Sequence, residues 1–142
     1  MDSILPLLEK LHASAGFVEC AEFKAEDAKA FTIRLMHSPT ARVLVAVDEG
    51  EVVGLSTFVV DSPYFNFNTK VASGVSFWVE PEYRKLGLGR SLYSASEMAA
   101  KALDCKRITV GVMVEDEYLQ NYHERNGFKK REVLLHKLLT ET

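Results

Sequence analysis

The chain has 142 residues, of which 47% are hydrophobic and 26% are charged, and its formal net charge is -3. This length suits a single domain over residues 1–142, and the composition is that of a folded globular protein rather than a disordered or membrane one. Lys and Arg are dispersed along an acidic chain, so no broad basic surface is predicted and nucleic acid is not an expected partner.

Cysteine, histidine and hydropathy patterns exclude further classes. Cys20 and Cys105 are too few and too far apart for a disulfide framework. The four histidines lack the spacing of metal ligands, so no metal site is expected. The N-terminus lacks the pattern of a signal peptide, and no stretch approaches the roughly 20 apolar residues of a membrane span. A cytoplasmic protein without membrane contact is therefore predicted.

Two helices and a β-hairpin are predicted in the first half. Apolar residues recur at helical spacing from Ile4 to Leu11 and again from Ala28 to Leu35, and Pro39 should end the second helix. The Val-rich segments Ala41–Val47 and Glu51–Val60 flank an Asp-Glu-Gly turn, which predicts an antiparallel pair joined by three residues.

A strand, a helix and a second strand follow. Alternation over Thr69–Val79 predicts a long strand, with Val71, Val75 and Val79 on one face. A helix should then run to about Leu103, before a strand over Arg107–Val114. The predicted apolar face of that helix consists of Leu88, Leu92, Ala95, Ala99 and Ala102. Such a succession forms a parallel βαβ unit.

The remaining elements complete an α/β fold. A short helix is predicted over Glu115–Arg125, with Asn126 and Gly127 as its cap, and a last strand over about Val133–Leu139. The segments Gly16–Phe23 and Asp61–Asn68 are predicted loops. The expected order is ααβββαβαβ around a mixed sheet.

The segment between the long strand and the third helix carries the strongest chemical signal. A helix start presents unpaired amides, and Gly87 and Gly89 lack the Cβ atoms that would hold a phosphate away. Arg84, Lys85 and Arg90 place three cations at the same point, which favours a pyrophosphate. A dinucleotide fold would need a third glycine, and a P-loop would need Gly-Lys-Ser/Thr, so both are excluded. A tight turn without a ligand is the structural alternative.

This arrangement resembles the Gcn5-related N-acetyltransferase (GNAT) family, whose pyrophosphate loop has the pattern Arg/Gln-x-x-Gly-x-Gly/Ala. Arg84, Gly87 and Gly89 fit it, after the segment Phe77–Pro81, which fits the family's preceding strand. The resemblance implies a splayed parallel strand pair, with the backbone of Phe77, Trp78 and Val79 holding pantetheine. It also implies that amides along the loop hold the pyrophosphate, those of Lys85, Leu86, Gly87, Leu88, Gly89 and Arg90.

Two departures from the family pattern stand out. The family's first strand has no counterpart before the first helix, so either Val18–Phe23 supplies a substitute or the sheet has one strand fewer. The family's Tyr-x-x-x-Gly-Phe signature is present with His123 at the tyrosine position, followed by Gly127 and Phe128. The resemblance therefore implies that His123, or its neighbour Tyr122, is the general acid. The alternative for His123 is a partly exposed helix residue.

The resemblance implies an N-acetyltransferase that uses acetyl-CoA and an amine acceptor, with direct attack in a ternary complex and no covalent enzyme intermediate. The acceptor should lie between the two predicted loops. A strand glutamate that serves as base in some members is absent around Ser73–Val75, so the base stays unassigned, with a water chain, Asp61 or Glu115 as the alternatives. Homodimers are common in the family. The alternative function is a non-catalytic acyl-CoA sensor or a protein-docking module.

Overall fold

The computed structural model describes residues 1–14 and 20–140. Within them, the main elements are α1 (Leu5–Ser14), α2 (Ala25–His37), β1 (Ala41–Asp48), β2 (Glu51–Asp61), β3 (Lys70–Val79), α3 (Leu88–Ala102), β4 (Cys105–Thr109) and α4 (Glu117–Arg125). The strands form one sheet in the order β1-β2-β3-β4. The first two pairs are antiparallel and β3 pairs with β4 in parallel, so the predicted mixed sheet flanked by helices is confirmed.

The hairpin between β1 and β2 is tighter than predicted. Asp48 pairs with Glu51 and so belongs to β1, which leaves a loop of Glu49 and Gly50. Both have positive φ, 49° and 81°, as a two-residue turn matched to strand twist requires. The predicted three-residue turn is therefore wrong by one residue.

Both faces of β2 are buried, and they pack against different helices. On one face Leu55, which is fully buried, packs with Ile4 and Leu7 at the start of the chain. On the other face Phe58 packs with Ala72 of β3 and Ala100 of α3. The sheet is thus covered on both sides at its centre, where β2 and β3 lie.

A bulge interrupts β3 at the point that matters for the site. Thr57 pairs with Ser76 and Phe58 pairs with Gly74, so Val75 is the extra residue. Because of this extra residue, the side chains beyond it point to the opposite face of the sheet from the one that strict alternation would give. Ala72 and Phe77 therefore both lie on the α3 side, and the single apolar face predicted for this strand is wrong.

The face that α3 buries differs slightly from its predicted stripe. The buried positions are Gly89, Leu92, Tyr93, Ser96 and Ala100. Ala102, predicted on the apolar face, is exposed. Ser96 donates or accepts a buried hydrogen bond of 2.8 Å with Ser56 of β2, which satisfies two polar groups in the core.

Two predicted strands need correction. β4 ends at Thr109 rather than Val114, because residues 110–114 leave the sheet where β3 and β4 part. The last strand, predicted over Val133–Leu139, is absent: the described residues 128–139 form no regular element. Of the proposed substitute strand, Val18 and Glu19 lie outside the described residues, and residues 20–23 form no strand.

No helix within residues 1–14 and 20–140 has the length and apolar character that crossing a bilayer would require.

Candidate active site

The two parallel strands separate halfway along β3. β3 pairs with β4 from Lys70 to Ser73 only, yet it stays paired with β2 as far as Val79. The backbones lie in close contact at Gly74, where a Cβ atom would lie 2.5 Å from the carbonyl oxygen of Thr109. Only glycine permits this approach. Beyond it, the edge of β3 that faces β4 is open along its last residues.

The turn after β3 is shaped for an anion. A single 3₁₀ turn, Pro81–Tyr83, leads to Gly87, which precedes α3 with φ 79°. This left-handed conformation favours glycine. A Cβ atom at Gly87 would meet nothing within 4 Å, so the space above the start of α3 is open. The first amides of α3 therefore face an accessible volume, at the positive end of the helix dipole.

A groove of about 340 Å³ lies at this helix start. Its lining contains four guanidinium or ammonium groups and no carboxylate, as far as the described residues extend: Arg84, Lys85, Gly87, Arg90, Tyr122, Arg125 and Asn126. Such a concentration of positive charge in an acidic chain favours a ligand with several negative charges.

Arg84 is held in place by β3. Its Nε donates to the carbonyl oxygen of Val79 at 2.8 Å, and its guanidinium lies 4.7 Å from the centre of the Trp78 ring. Trp78 in turn donates to Glu80 at 2.9 Å, and Lys10 of α1 forms an ion pair with Glu80 at 2.7 Å. Desolvation acts to raise the pKa of Glu80, but the hydrogen bonds from Lys10 and Trp78 outweigh it and leave the pKa lowered. Arg84 is thus oriented before any ligand arrives.

An aromatic cluster fills the other end of the cleft. The rings of Phe77 and Tyr93 stack at 4.6 Å, and His123 meets both at steep angles. The Phe128 ring lies 5.3 Å from that of Tyr93 in a tilted arrangement. A cavity of about 20 Å³, room for about one water molecule, lies beside the cluster at the parting of the strands. Its lining includes Gly74, Phe77, Tyr93, Glu97, Val110 and Phe128.

His123 belongs to this cluster and not to the groove. Its side chain is only 3% exposed, and its Nδ1 is hydrogen-bonded to the hydroxyl of Tyr93. The Nε2 atom is buried and has no hydrogen-bond partner among residues 1–14 and 20–140. Burial lowers the pKa of His123 to about 4, although the nearby charge of Asp116 acts to raise it. Burial also raises the pKa of the Tyr93 hydroxyl, and Tyr122 adds to that rise. The pair is therefore neutral at physiological pH.

Tyr122 points the other way. Its ring and hydroxyl lie directly against Gly89, where a Cβ atom would collide with them. The guanidinium of Arg125 lies 5.8 Å from the ring centre, and Asn126 donates to the carbonyl oxygen of Tyr122 at 2.8 Å. The neighbours Tyr122 and His123 thus serve different ends of the cleft, with Tyr122 lining the charged groove.

The structure brings most of the predicted loop residues together. Arg84, Lys85, Gly87 and Arg90 line the groove. Of the other loop residues, Leu86 is 72% exposed, Leu88 begins α3 and Gly89 is buried. Of the β3 residues, Val79 is buried, and Trp78 packs on the opposite face of the sheet from Phe77.

Sequence reasoning missed other residues at the site. Arg125 and Asn126 line the groove, and Tyr93 and Glu97 line the cavity. Their spacing carried a signal, because Arg125 lies one helical turn after Tyr122, and Tyr93 and Glu97 follow Gly89 at intervals of four along α3. The short distance between α3 and α4 could not be read from the sequence.

Comparison with known proteins agrees with this geometry. The model of the Acetyltransferase (GNAT) family matches residues 7–128. An N-alpha-acetyltransferase of Sulfurisphaera tokodaii is 31% identical over 112 residues, which are 75% of this chain and 67% of that protein.

Solved structures share the fold. A GNAT family acetyltransferase of Staphylococcus aureus is 24% identical, with a TM-score of 0.68 over 95% of this chain and 89% of the other. The aminoglycoside N-acetyltransferase AAC(6')-Iy in complex with CoA is 15% identical, with a TM-score of 0.75 over 98% and 91%. A cationic groove at a helix start, strands that part beside it and a family match across most of the chain lead to one conclusion: the chain belongs to the GNAT family of acetyltransferases.

Proposed function

We propose that this protein transfers an acetyl group from acetyl-CoA to a primary amine, by direct attack in a ternary complex. The observation that carries the proposal is the charged groove at Gly87, which lies at the turn that follows the open edge of β3. A ligand with a pyrophosphate at one end and an amide-bearing arm at the other matches both parts. The CoA complex of a protein with the same fold supports this assignment.

The residues present fit such a donor. Arg84, Lys85, Arg90 and Arg125 offer charge-assisted hydrogen bonds to phosphate oxygens, and the first amides of α3 add their own. The open edge of β3 from Gly74 to Val79 can pair with the amides of the pantetheine arm as an added strand would. An amide on that edge would polarise the thioester carbonyl and stabilise the oxyanion that forms there.

Tyr122 is the better proton donor of the two predicted residues. A general acid must carry a proton at working pH, and the pKa of about 4 leaves His123 neutral. Tyr122 lines the groove, and its hydroxyl lies against Gly89 at the start of α3. His123 then acts as a positioning residue: with Tyr93 it fixes the helix that carries Tyr122.

Glu97 is our candidate for the base. A protonated amine must lose a proton before it attacks, and Glu97 is the one carboxylate among the described residues that line the cavity. Asp61 and Glu115, also considered from the sequence, are exposed outside it. The substitution Glu97→Gln should lower kcat and leave the affinity for acetyl-CoA unchanged. An unchanged kcat would remove Glu97 from the mechanism and favour a water chain.

The acceptor is an amine whose identity the residues do not fix. The named relatives are an N-alpha-acetyltransferase and an aminoglycoside N-acetyltransferase. Peptide α-amines and aminosugars are therefore the first two panels to test.

The first experiment is thermal unfolding with and without acetyl-CoA. A specific ligand at about 100 times its dissociation constant adds roughly 2.7 kcal/mol of stability. Gly87→Glu should abolish the shift, because it places a carboxylate in the groove. Gly50→Glu is the matched control: Gly50 has φ 81° against 79° at Gly87, and a Cβ atom at either meets nothing within 4 Å. It carries the same backbone strain in the distant hairpin and should retain the shift. No shift in the native chain at millimolar ligand would overturn the proposal.

A second candidate function is a non-catalytic acyl-CoA sensor or docking module. The buried, neutral His123 at the position of the family's acid favours it. Saturable CoA binding without thiol release across both amine panels would select the sensor, whereas thiol release that depends on an amine would exclude it.

A further inference from the structure

One ion pair connects the first helix to the turn before α3. Nζ of Lys10, on α1, lies 2.7 Å from Oε2 of Glu80, the residue between β3 and the 3₁₀ turn. Among the ion pairs of the described residues, this is the one that joins a helix to the anion-binding turn. The Lys10 side chain is 50% exposed, and ion pairs with such exposure contribute little to the stability of a fold. The main effect of this pair should therefore be local.

Glu80 uses both of its carboxylate oxygens. Oε1 accepts from Nε1 of Trp78 at 2.9 Å, and Oε2 accepts from Lys10. The Glu80 side chain is only 15% exposed, so the carboxylate has lost much of its water and depends on these donors. Desolvation acts to raise its pKa, and the charges of Lys10 and Arg84 both act to lower it, so two cations lie within electrostatic reach of this carboxylate.

Arg84 is the second cation near Glu80, but it is bonded elsewhere. Its Nε donates to the carbonyl oxygen of Val79 at 2.8 Å, and its guanidinium lies 4.7 Å from the centre of the Trp78 ring. In residues 1–14 and 20–140 no ion pair joins Arg84 to a carboxylate. Arg84 lines the groove, so its remaining donors are available to an anion that binds there.

Lys10 thus occupies a carboxylate that would otherwise attract Arg84. A carboxylate with little access to water is costly to leave unpaired, so it draws the nearest available cation. Without Lys10 that cation is Arg84. A guanidinium that pairs with Glu80 gives up its bond to Val79 and its place in the groove. The positive charge offered to a ligand would then fall, although no residue of the groove lining had changed.

We propose that Lys10 is a positioning residue for the acyl donor: by pairing with Glu80, it leaves the Arg84 guanidinium free to bind phosphate. The identity of the ligand rests on the proposed function, whereas the competition between Lys10 and Arg84 for Glu80 does not. Lys10 lines neither the groove nor the cavity. Its removal should therefore raise KM for acetyl-CoA and leave kcat unchanged.

A double-mutant cycle tests this competition directly. Titration calorimetry with CoA is run on the native chain, Lys10→Met, Glu80→Gln and the double variant. Lys10→Met should weaken binding by about fivefold to tenfold. Glu80→Gln keeps an oxygen that accepts from Trp78 but carries no charge that attracts Arg84. The double variant should therefore bind CoA within about twofold of the native chain.

Two further variants separate the Glu80 contact from a general effect of charge. Lys29→Met is the matched control, because Lys29 is 45% exposed and pairs with Asp2 at 3.1 Å on another part of the chain. It removes the same charge and should leave CoA affinity unchanged. Lys10→Arg keeps a cation for Glu80 and should also bind as the native chain does. Melting temperatures show that each variant is folded.

A measurement without ligand separates this inference from the proposed function. Because Nε–H of Arg84 is bonded to the Val79 carbonyl, its proton should exchange slowly with water in nitrogen-15 NMR spectra of the native chain and of the double variant. In Lys10→Met it should exchange faster. Trp78 is the only tryptophan of the chain, so its single indole N–H signal identifies the same site in each spectrum.

The outcomes decide the two proposals separately. A native chain that does not bind CoA would overturn the proposed function, and the exchange at Arg84 would still decide whether Lys10 positions this side chain. Unchanged exchange in Lys10→Met would overturn the inference, and so would CoA affinity equal to that of a native chain that binds. A loss of affinity that persists in the double variant, or that Lys29→Met shares, would also overturn it, because Lys10 would then act without Glu80.

Discussion

The two ends of the cleft differ in charge and in solvent exposure, although they lie a short distance apart along α3. At Gly87 the protein gathers cations in solvent, held apart by loop geometry and by the Arg84 contacts to β3. At Tyr93 it gathers rings and a neutral imidazole away from solvent. Exposed charges contribute binding energy to a phosphate and little stability, whereas packed rings contribute stability. The difference teaches that affinity and folding are carried by separate residues of the same cleft.

The largest effect on stability should come from the aromatic end. Phe77→Ala removes a ring stacked on Tyr93 and leaves a void beside the cavity, so it should cost roughly 3 kcal/mol, the lower end of the range for Phe→Ala in cores. Urea unfolding measures the loss. A cost under about 1 kcal/mol would mean that the cluster is not a core.

A smaller loss is expected from Tyr93→Phe. The change removes one hydroxyl and leaves the buried Nδ1 of His123 unpaired, which should cost about 1 to 3 kcal/mol. Tyr83→Phe is the matched control, because its hydroxyl donates to Asp48 at 2.6 Å in a solvent-exposed setting. If the control lost as much stability as Tyr93→Phe, burial would not be the cause.

His123 predicts a pH dependence of stability. Above pH 6.5 its imidazole is neutral in both states, and the full stability is present. As the pH falls toward the folded pKa of about 4, the unfolded chain binds a proton that the folded chain does not, so stability is lost. Between pH 7 and pH 5.5 the loss should be about 1 kcal/mol.

Denaturant unfolding of His123→Gln and His37→Gln at the two pH values checks this sign. His37 is exposed, so its variant should keep the slope of the native chain, whereas His123→Gln should lose the slope. An unchanged slope in His123→Gln would show that another group titrates.

The smallest effect on stability is expected at the charged end. Arg90→Ala changes an exposed side chain and should alter the free energy of unfolding by no more than about 0.5 kcal/mol. Its affinity for CoA should nevertheless fall, most clearly at low salt, where phosphate contacts are strongest. Titration calorimetry at two salt concentrations measures the affinity and its salt dependence, and urea unfolding measures the stability. Equal losses in stability and affinity would end the distinction between the two regions.

The sequence predicted the parts of this architecture that local chemistry decides. Gly87 in its left-handed turn, the cations around it and the βαβ unit follow from short patterns, and so does the β1–β2 pair. The bulge at Val75 could not be predicted, because the alternation on both sides of it looks continuous. The positions of the Tyr122 and His123 side chains could not be predicted either, because they depend on how α4 packs against α3.

The C-terminal segment shows what its sequence alone could not predict. Its apolar run favours a strand, but the predicted strand is wrong, because a strand forms only where a sheet edge pairs with it, and no edge within the described chain pairs with this segment. The intrinsic pattern of Val133–Leu139 and the observed exposure are therefore both informative.

Gly74 lies where β3 and β4 begin to separate. The approach of β3 to β4 at this position depends on one missing methyl group, since any Cβ there would meet the Thr109 carbonyl oxygen at 2.5 Å. A substitution at Gly74 would therefore push the two backbones apart and widen the opening between β3 and the residues that follow β4.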